Sequence, residues 1–378
     1  MYLLQVIKGK CCLYLFDIFL QVSLFEDPHN RRSCVYSVVP AVSALFLILF
    51  FGAAFISPKY ELILYQINLW GSHSYICFEA LPEGIVAKTS NLQMRPLWGF
   101  PKSDNSSFSL FAIAAGIKQS DLVDKMVTKF LSSNFSVMLF HYDGVVDQWK
   151  TFEWCDRVIH VSAANQTKWW FAKRFLHPDI VAEYSYIFLW DEDLGVEDFN
   201  PQKYVSIVKS EGLEISQPAL DPAKSEVHHQ ITARSQRSIV HRRTYKPGLC
   251  DKNSTAPPCT GWIEMMAPVF SRAAWRCVWY LIQNDLIHAW GLDMQLGYCA
   301  QGDRTKNVGV VDAEYVVHYG RPTLGVPEKK TSSHSHKKDP RLEVRRQSFL
   351  EFKIFKRRWI QAAKKDNCWI DPYSQSLK

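Results

Sequence analysis

The chain has 378 residues, more than one typical domain needs but compatible with a single large α/β domain carrying appendages. An apolar fraction of 47% and an aromatic fraction of 14% exclude a disordered or fibrous protein and imply a dense core. The formal charge of +7 is modest, with Lys and Arg clustered only locally in the second half, so no nucleic-acid footprint emerges and an anionic small molecule would be served equally well.

Taken in order, the chain first presents an interrupted apolar run from Cys11 to Phe25, broken by Asp17 and too short to span a membrane. From Ser33 to Ser57 there is no charged residue, and Val35 to Ile56 is long enough to cross a bilayer as a helix. Arg31 and Arg32 stand directly before this run, and only Lys59 lies close behind it. The positive-inside bias therefore predicts a cytosolic tail at 1–34, a transmembrane signal anchor at 35–57 and a lumenal remainder. Residues 58–108 have scattered apolar positions and no sustained period, as in a stem. Sequons at Asn105, Asn134, Asn165 and Asn253 agree with a lumenal body. So do Cys250 and Cys259, which bracket a short Pro-rich polar loop suited to a local disulfide.

Ser109 to Ala115 is a compact apolar strand closed by Gly116, and Ser120 is placed to cap a helix running to Leu131. Ser136 to Tyr142 follows as a second strand, ended by Asp143-Gly144, so a βαβ unit with a parallel sheet is predicted. A short strand at Arg157–His160 and a helix from Thr167 to Leu176 come next, with Pro178 at the first turn of a further helix. Glu214 to Leu220 reads as a strand. Trp262 to Phe270 is strand-like, and Ser271 can cap a helix through Ile282. A further helix is predicted from near Gly291 towards Cys299, then strands at Val308–Val311 and Glu314–His318. Residues 326–378 read as a basic linker followed by an aromatic-basic helix from Phe349 to Ala363.

Between these elements lies the most informative stretch, Tyr186-Ile187-Phe188-Leu189-Trp190-Asp191-Glu192-Asp193-Leu194. An unbroken apolar run is a buried strand, and acids at its end stay buried only if something cationic meets them. Side chains alternate along an extended segment, so Asp191 and Asp193 face one way and Glu192 the other. Two hard oxygen ligands then face one point beyond a strand's carboxyl end, where open α/β sheets bind nucleotides. The same spacing also describes a solvated acidic turn. His318, ending an apolar strand, is the candidate third ligand, since imidazole with carboxylates suits manganese-like ions. Asp293 in Trp290-Gly291-Leu292-Asp293 is either a base for an acceptor hydroxyl or an acid favoured near a helix start. Arg234, Arg237, Arg242 and Arg243 lie in a basic stretch with His228, His229 and His241, and guanidinium groups can grip phosphate or carboxylate bidentately. No Gly-rich phosphate loop and no Ser or Cys nucleophile motif is present.

The Asp-x-Asp strand, the Trp290–Asp293 turn and the segment Gly297-Tyr298-Cys299-Ala300-Gln301-Gly302-Asp303-Arg304-Thr305-Lys306-Asn307-Val308-Gly309-Val310-Val311-Asp312 together resemble a plant family of unknown function labelled lysine-ketoglutarate reductase trans-splicing related. The resemblance runs from about Arg95 to Gly325, and the family's pattern is similar to glycosyltransferases of the GT-A fold. It implies a Rossmann-like lumenal α/β domain at 109–325, with a mostly parallel sheet flanked by helices behind one N-terminal transmembrane helix, in a Golgi type II membrane protein. It further implies Asp191, Asp193 and His318 as ligands of Mn2+ or Mg2+, Asp293 on the acceptor side, and a nucleotide sugar donor with a glycan or glycoprotein acceptor. The rival expectation is a non-catalytic lumenal module that keeps the fold to bind glycans or scaffold other enzymes. A nuclear RNA-processing role, as the family's label suggests, conflicts with the predicted span and the sequons.

Overall fold

A computed structural model describes residues 80–88, 108–245, 250–321 and 340–373, all within the compact unit Cys77–Lys378. The apolar segment 35–57, most of the stem and the sequon at Asn105 lie outside the described residues. Among the described residues no helix is long and apolar enough to cross a membrane.

The unit is a mixed α/β structure with a mostly parallel sheet. Its elements are β1 (Ser109–Ala115), α1 (Ser120–Leu131), β2 (Phe135–His141), β3 (Ile159–Ser162), α2 (Lys168–Phe175), β4 (Tyr186–Trp190), β5 (Leu194–Gly195), α3 (Pro201–Ser210) and β6 (Ile215–Leu220). There follow β7 (Val240–His241), β8 (Val269–Ser271), α4 (Arg272–Leu281), α5 (Arg304–Asn307), β9 (Val308–His318) and α6 (Pro340–Lys365). The strand order is β3-β2-β1-β4-β8-β6-β9, with β5 and β7 both paired to β9. β1, β2, β3 and β4 run parallel, as do β6 and β9, while β8 runs antiparallel to both its neighbours. The parallel βαβ expectation for the first half therefore holds.

Alternation along β4 explains why the sheet is covered on both sides. Ile187 and Leu189 enter one core layer with α2, α4 and the inner face of α6; Phe188 and Trp190 enter the other with α1 and α3. The second layer is held by aromatic contacts around Phe130, which stacks on Phe111 at 3.8 Å and meets Phe188 and Trp190 edge-on. In the first layer Lys173 is fully buried between α2 and α4, donating to Ala87 O at 2.7 Å and Trp279 O at 2.8 Å with the Trp279 ring 3.6 Å away. Burial, and secondarily Arg174, pulls its amine down to about 7. An unfolded lysine titrates near 10.4, so the unfolded chain binds the extra proton between those values and this lysine's penalty on folding deepens as pH falls to 7. Lys173→Met is therefore expected to compare best with wild type at pH 6 and to lose that ground by pH 9, read as the difference in melting temperature.

Several local expectations change. Trp262 to Ala267 form a looped segment, and only Val269–Ser271 joins the sheet, because Gly261 has φ 64 and Pro268 has no N–H to give a ladder. The helix expected from Gly291 to Cys299 is a chain of turns ending in a 3-10 turn at Leu296–Cys299, since Ala289 and Gly291 both take positive φ. No helix follows Pro178; residues 178–183 are turns. The two strands expected at 308–318 are one strand with an irregularity opposite Pro218 and Ala219. Helix α3 lacked a sequence expectation although Asn200 caps it, accepting from Lys203 N, and Pro201 opens it. Ser271 caps α4 as expected, whereas Ser120 is the first residue of α1 and the position before it makes no side-chain cap.

Candidate functional site

The site is assembled at the carboxyl ends of β1, β4 and β9. Chain reversal after β4 places Asp191, Glu192 and Asp193 on alternate sides, as the extended spacing requires. Glu192 turns inward and is 3% exposed; it accepts from Gly116 N–H at 2.6 Å and from the Tyr142 hydroxyl. Gly116 follows β1 and Tyr142 follows β2, so one carboxyl ties three parallel strand ends together. Burial pushes Glu192 up to about 8, with the Tyr142 and Gly116 hydrogen bonds acting against it.

Asp191 and Asp193 face the other way. Pairing of β5 with β9 sets Leu194 opposite His318, and this brings the His318 ring to Asp193, with Nε2 to Oδ2 3.4 Å. His318 Nδ1 lies 3.0 Å from Glu226 O. Burial works against a charged ring, but hydrogen bonding to Asp193 and the charges of Asp193 and Asp191 outweigh it and raise His318 to about 9. Asp191 is met by Lys168, the first residue of α2, with Nζ 2.7 Å from Oδ1. Lys168 is buried and also donates to Met265 O at 2.6 Å, while Asp191 N–H donates to Met266 O at 2.8 Å. In this structure the charges that balance the two carboxylates are thus Lys168 and His318.

Asp293 arrives on the turn after α4. Trp262 Nε1 donates to its Oδ2 at 3.2 Å, and burial raises its pKa, opposed by hydrogen bonds from Met294 N–H and Trp262. Glu264, on the segment between Trp262 and Met266, is raised to about 7, first by burial and then by Asp191 and Asp293, with His318 and Lys168 acting against them. Its Oε2 is buried with no hydrogen-bond partner. Sequence reasoning missed Glu264, Lys168 and Trp262: nothing in an apolar stretch announces that it will loop over a site.

The basic stretch reaches the site through its histidines. The His228 ring lies 6.1 Å from His318, and the His229 ring 4.7 Å from Trp262. Arg234 donates to Asp312 O and lies 3.7 Å over the Tyr315 ring; Arg242 grips Glu211 and Lys306 O; Arg243 holds the carbonyls of Asp251 and Lys252; Arg237 is exposed. Three of the four arginines therefore brace backbone rather than point at Asp191. Cys250 and Cys259 form the expected disulfide, and a second joins Cys277 of α4 to Cys299 beyond Asp293. Asn165 and Asn253 are exposed.

As a test of fit for a divalent ion, two carboxylates and an imidazole are the right donor types. Asp193 and His318 already meet, Asp191 follows on the same face, and Glu264 offers an unpartnered buried oxygen nearby. Among the described residues no three acid, thiol or imidazole groups already close around one point.

No curated protein matches the sequence. Among solved structures the chain is similar to S. aureus TarS in complex with UDP, at 10% identity and TM-score 0.38, over 56% of this chain and 59% of that one. It is also similar to the glycosyltransferase GlyE of Streptococcus pneumoniae TIGR4, at 8% identity and TM-score 0.32, over 71% and 66%, and to the mannosyltransferase Ktr4p of S. cerevisiae, at 13% and 0.22, over 38% and 47%. The chain thus spans less than two thirds of the length of each, and no activity is transferred from such distant likenesses. The family model described as "Protein of unknown function (DUF707)" matches residues 74–365, a range that takes in every residue of the site, and this chain belongs to that family.

Proposed function

We propose that this protein is a metal-dependent glycosyltransferase with a GT-A-like domain, moving a sugar from a nucleoside diphosphate sugar to a glycan or glycoprotein acceptor. The observation that carries the reading is the contact of Asp193 with His318 at the carboxyl ends of a parallel-rich sheet, with Asp191 at the end of the same strand. Asp191, Asp193 and His318 would hold Mn2+ or Mg2+, which when bound neutralises charge on a departing diphosphate. Lys168 adds a buried positive charge on the same side. Asp293 takes the proton from the acceptor hydroxyl; burial raises its pKa towards the working range of a general base, and the Trp262 indole fixes one of its oxygens. Direct displacement with this base inverts the anomeric centre.

The two disulfides and the exposed sequons at Asn165 and Asn253 support an oxidising lumen, and the apolar segment 35–57 a Golgi or other secretory-pathway membrane with a type II orientation. The test is binding of a panel of sugar nucleotides to the full-length protein with and without manganese, against the Asp191→Ala, Asp193→Ala double variant. Metal-dependent binding by wild type alone, reduced about 100-fold or more in the double variant, is the expected result. Failure of any nucleotide to bind would sink the enzyme reading and leave a glycan-binding or scaffolding module.

A further inference from the structure

Helix α6 packs one face into the unit and turns the other to solvent. Glu351, Phe355, Trp359 and Ala362 recur at helical spacing and are buried, the last three in the same core layer as Leu81 and Ile85. Opposite them Arg346, Leu350, Lys353, Arg357, Ile360 and Lys364 follow one another every three or four residues, and all six are exposed. The outward face is strongly unbalanced in charge: over residues 342–365 seven Lys or Arg are exposed against one exposed acid, Glu343. It is also apolar. Five of the ten large hydrophobic side chains that stand exposed among the described residues belong to this helix, with Phe349 at 55% and Ile360 at 54%.

Cations interleaved with apolar side chains on one face are the composition of a helix that lies in a bilayer surface, where charged heads meet lipid headgroups and apolar groups sink beneath them. A soluble polyanion would engage the cations and leave Leu350 and Ile360 in water. A second copy of this chain would bring the same cations face to face. The course of the chain favours the bilayer as well. Residues 80–88, the first described after the proposed anchor, dock on the last turns of α6: Glu83 N–H donates to Asp366 Oδ2 at 2.9 Å, and a Cβ on Gly84 would lie 3.1 Å from that of Ala362. Ala80 follows Ser57, the end of the apolar segment, by 23 residues, a tether of at most about 80 Å. We propose that the exposed face of α6 docks on the membrane that carries the anchor, its cations on anionic lipid headgroups and Phe349, Leu350 and Ile360 among the upper acyl chains. The inference rests on the membrane-anchor reading of residues 35–57 and not on the transfer chemistry.

The experiment uses the full-length protein with a protease site inserted after Gly71, outside the compact unit Cys77–Lys378, reconstituted in vesicles of phosphatidylcholine alone or mixed with phosphatidylserine. After cleavage, flotation reads how much of the released unit stays with lipid. Retention on the mixed vesicles, with a partition coefficient about tenfold or more above that on phosphatidylcholine and a steep fall in high salt, is the expected result. Lys353→Glu with Arg357→Glu is expected to lower that coefficient about 100-fold, and Leu350→Ser with Ile360→Ser about tenfold. All four side chains are exposed, so both pairs are expected to melt as wild type does. Release of the wild-type unit from the mixed vesicles, or equal retention on both compositions, would overturn the inference and leave the anchor standing. Full-length protein that fails to float before cleavage would overturn both. Retention abolished by the charge pair and untouched by the apolar pair would mark the face as a site for soluble polyanions, and a released unit that is a dimer dissociated by either pair would mark it as an interface between copies; each would overturn membrane docking.

Discussion

Asp293→Asn is expected to lower the rate of sugar transfer by about 10²- to 10⁴-fold while leaving nucleotide affinity near wild type. The amide keeps the volume and can still accept from Trp262, but it cannot take a proton. Measured as kcat against the dissociation constant for the donor, the effect falls on kcat alone. The same geometry fixes a pH signature. Asp293 must be ionised to act as base, and its pKa lies above the ordinary aspartate value because of burial, held back partly by the Trp262 indole. Activity therefore fails on the acid side at a higher pH than a free aspartate would give. Trp262→Phe removes a bond that favours the ionised form, so the acid limb moves further up in pH. An acid limb that stays put in Trp262→Phe would assign the base to another residue.

The largest stability effect is expected at Gly116. A Cβ there would run into the Tyr142 hydroxyl, the group that donates to buried Glu192. Gly116→Ala must therefore displace Tyr142 and deprive Glu192 of a partner at the junction of β1, β2 and β4. A loss of about 3 kcal/mol combines the steric and hydrogen-bond terms, and for a unit of this size it lowers the melting temperature by roughly 5 to 10 °C. Tyr142→Ala removes the ring as well as the hydroxyl, making room but forfeiting the bond, so the double variant should fall well short of the sum of the two single losses. Additive losses would show that the collision is relieved some other way.

The strand that carries the Asp-x-Asp was legible because its signal is local: an apolar run, an abrupt change to acid and a period of two. The same is true of the parallel βαβ units, the Ser271 cap and the Cys250–Cys259 pair. His318 is legible as the end of an apolar strand, and the structure brings it to Asp193; Asp293 rests on family resemblance, and in the structure its carboxylate is held by Trp262. What stayed hidden depends on contacts distant in sequence. Lys168 precedes Asp191 by a whole helix and turn, and only folding shows that it is the counter-charge. Glu264 sits in a segment whose apolar composition mimics a strand, because Ile263 and Met266 are buried in the two core layers without joining the sheet. The arginines illustrate the converse error, since charge density in sequence does not reveal that a guanidinium will close on a backbone carbonyl.

Helix α6 lies far along the chain from β4, yet Phe355, Trp359 and Ala362 are buried in the same layer as Ile187 and Leu189. Glu351 of α6 accepts from His288 N–H at 2.8 Å and lies 2.9 Å from His288 Nδ1 through its other oxygen, and Phe352 and Phe355 close over Gly291. The turn that presents Asp293 thus leans on α6. An expression truncation that stopped after β9 would retain every strand, the paired acids and His318, and would still bare the underside of that turn to water. Designs for recombinant production should accordingly run through Tyr373, whose hydroxyl accepts from Arg304 N–H just as Asp371 accepts from Tyr298, and a shortened protein found inactive would say nothing against the chemistry of its acids.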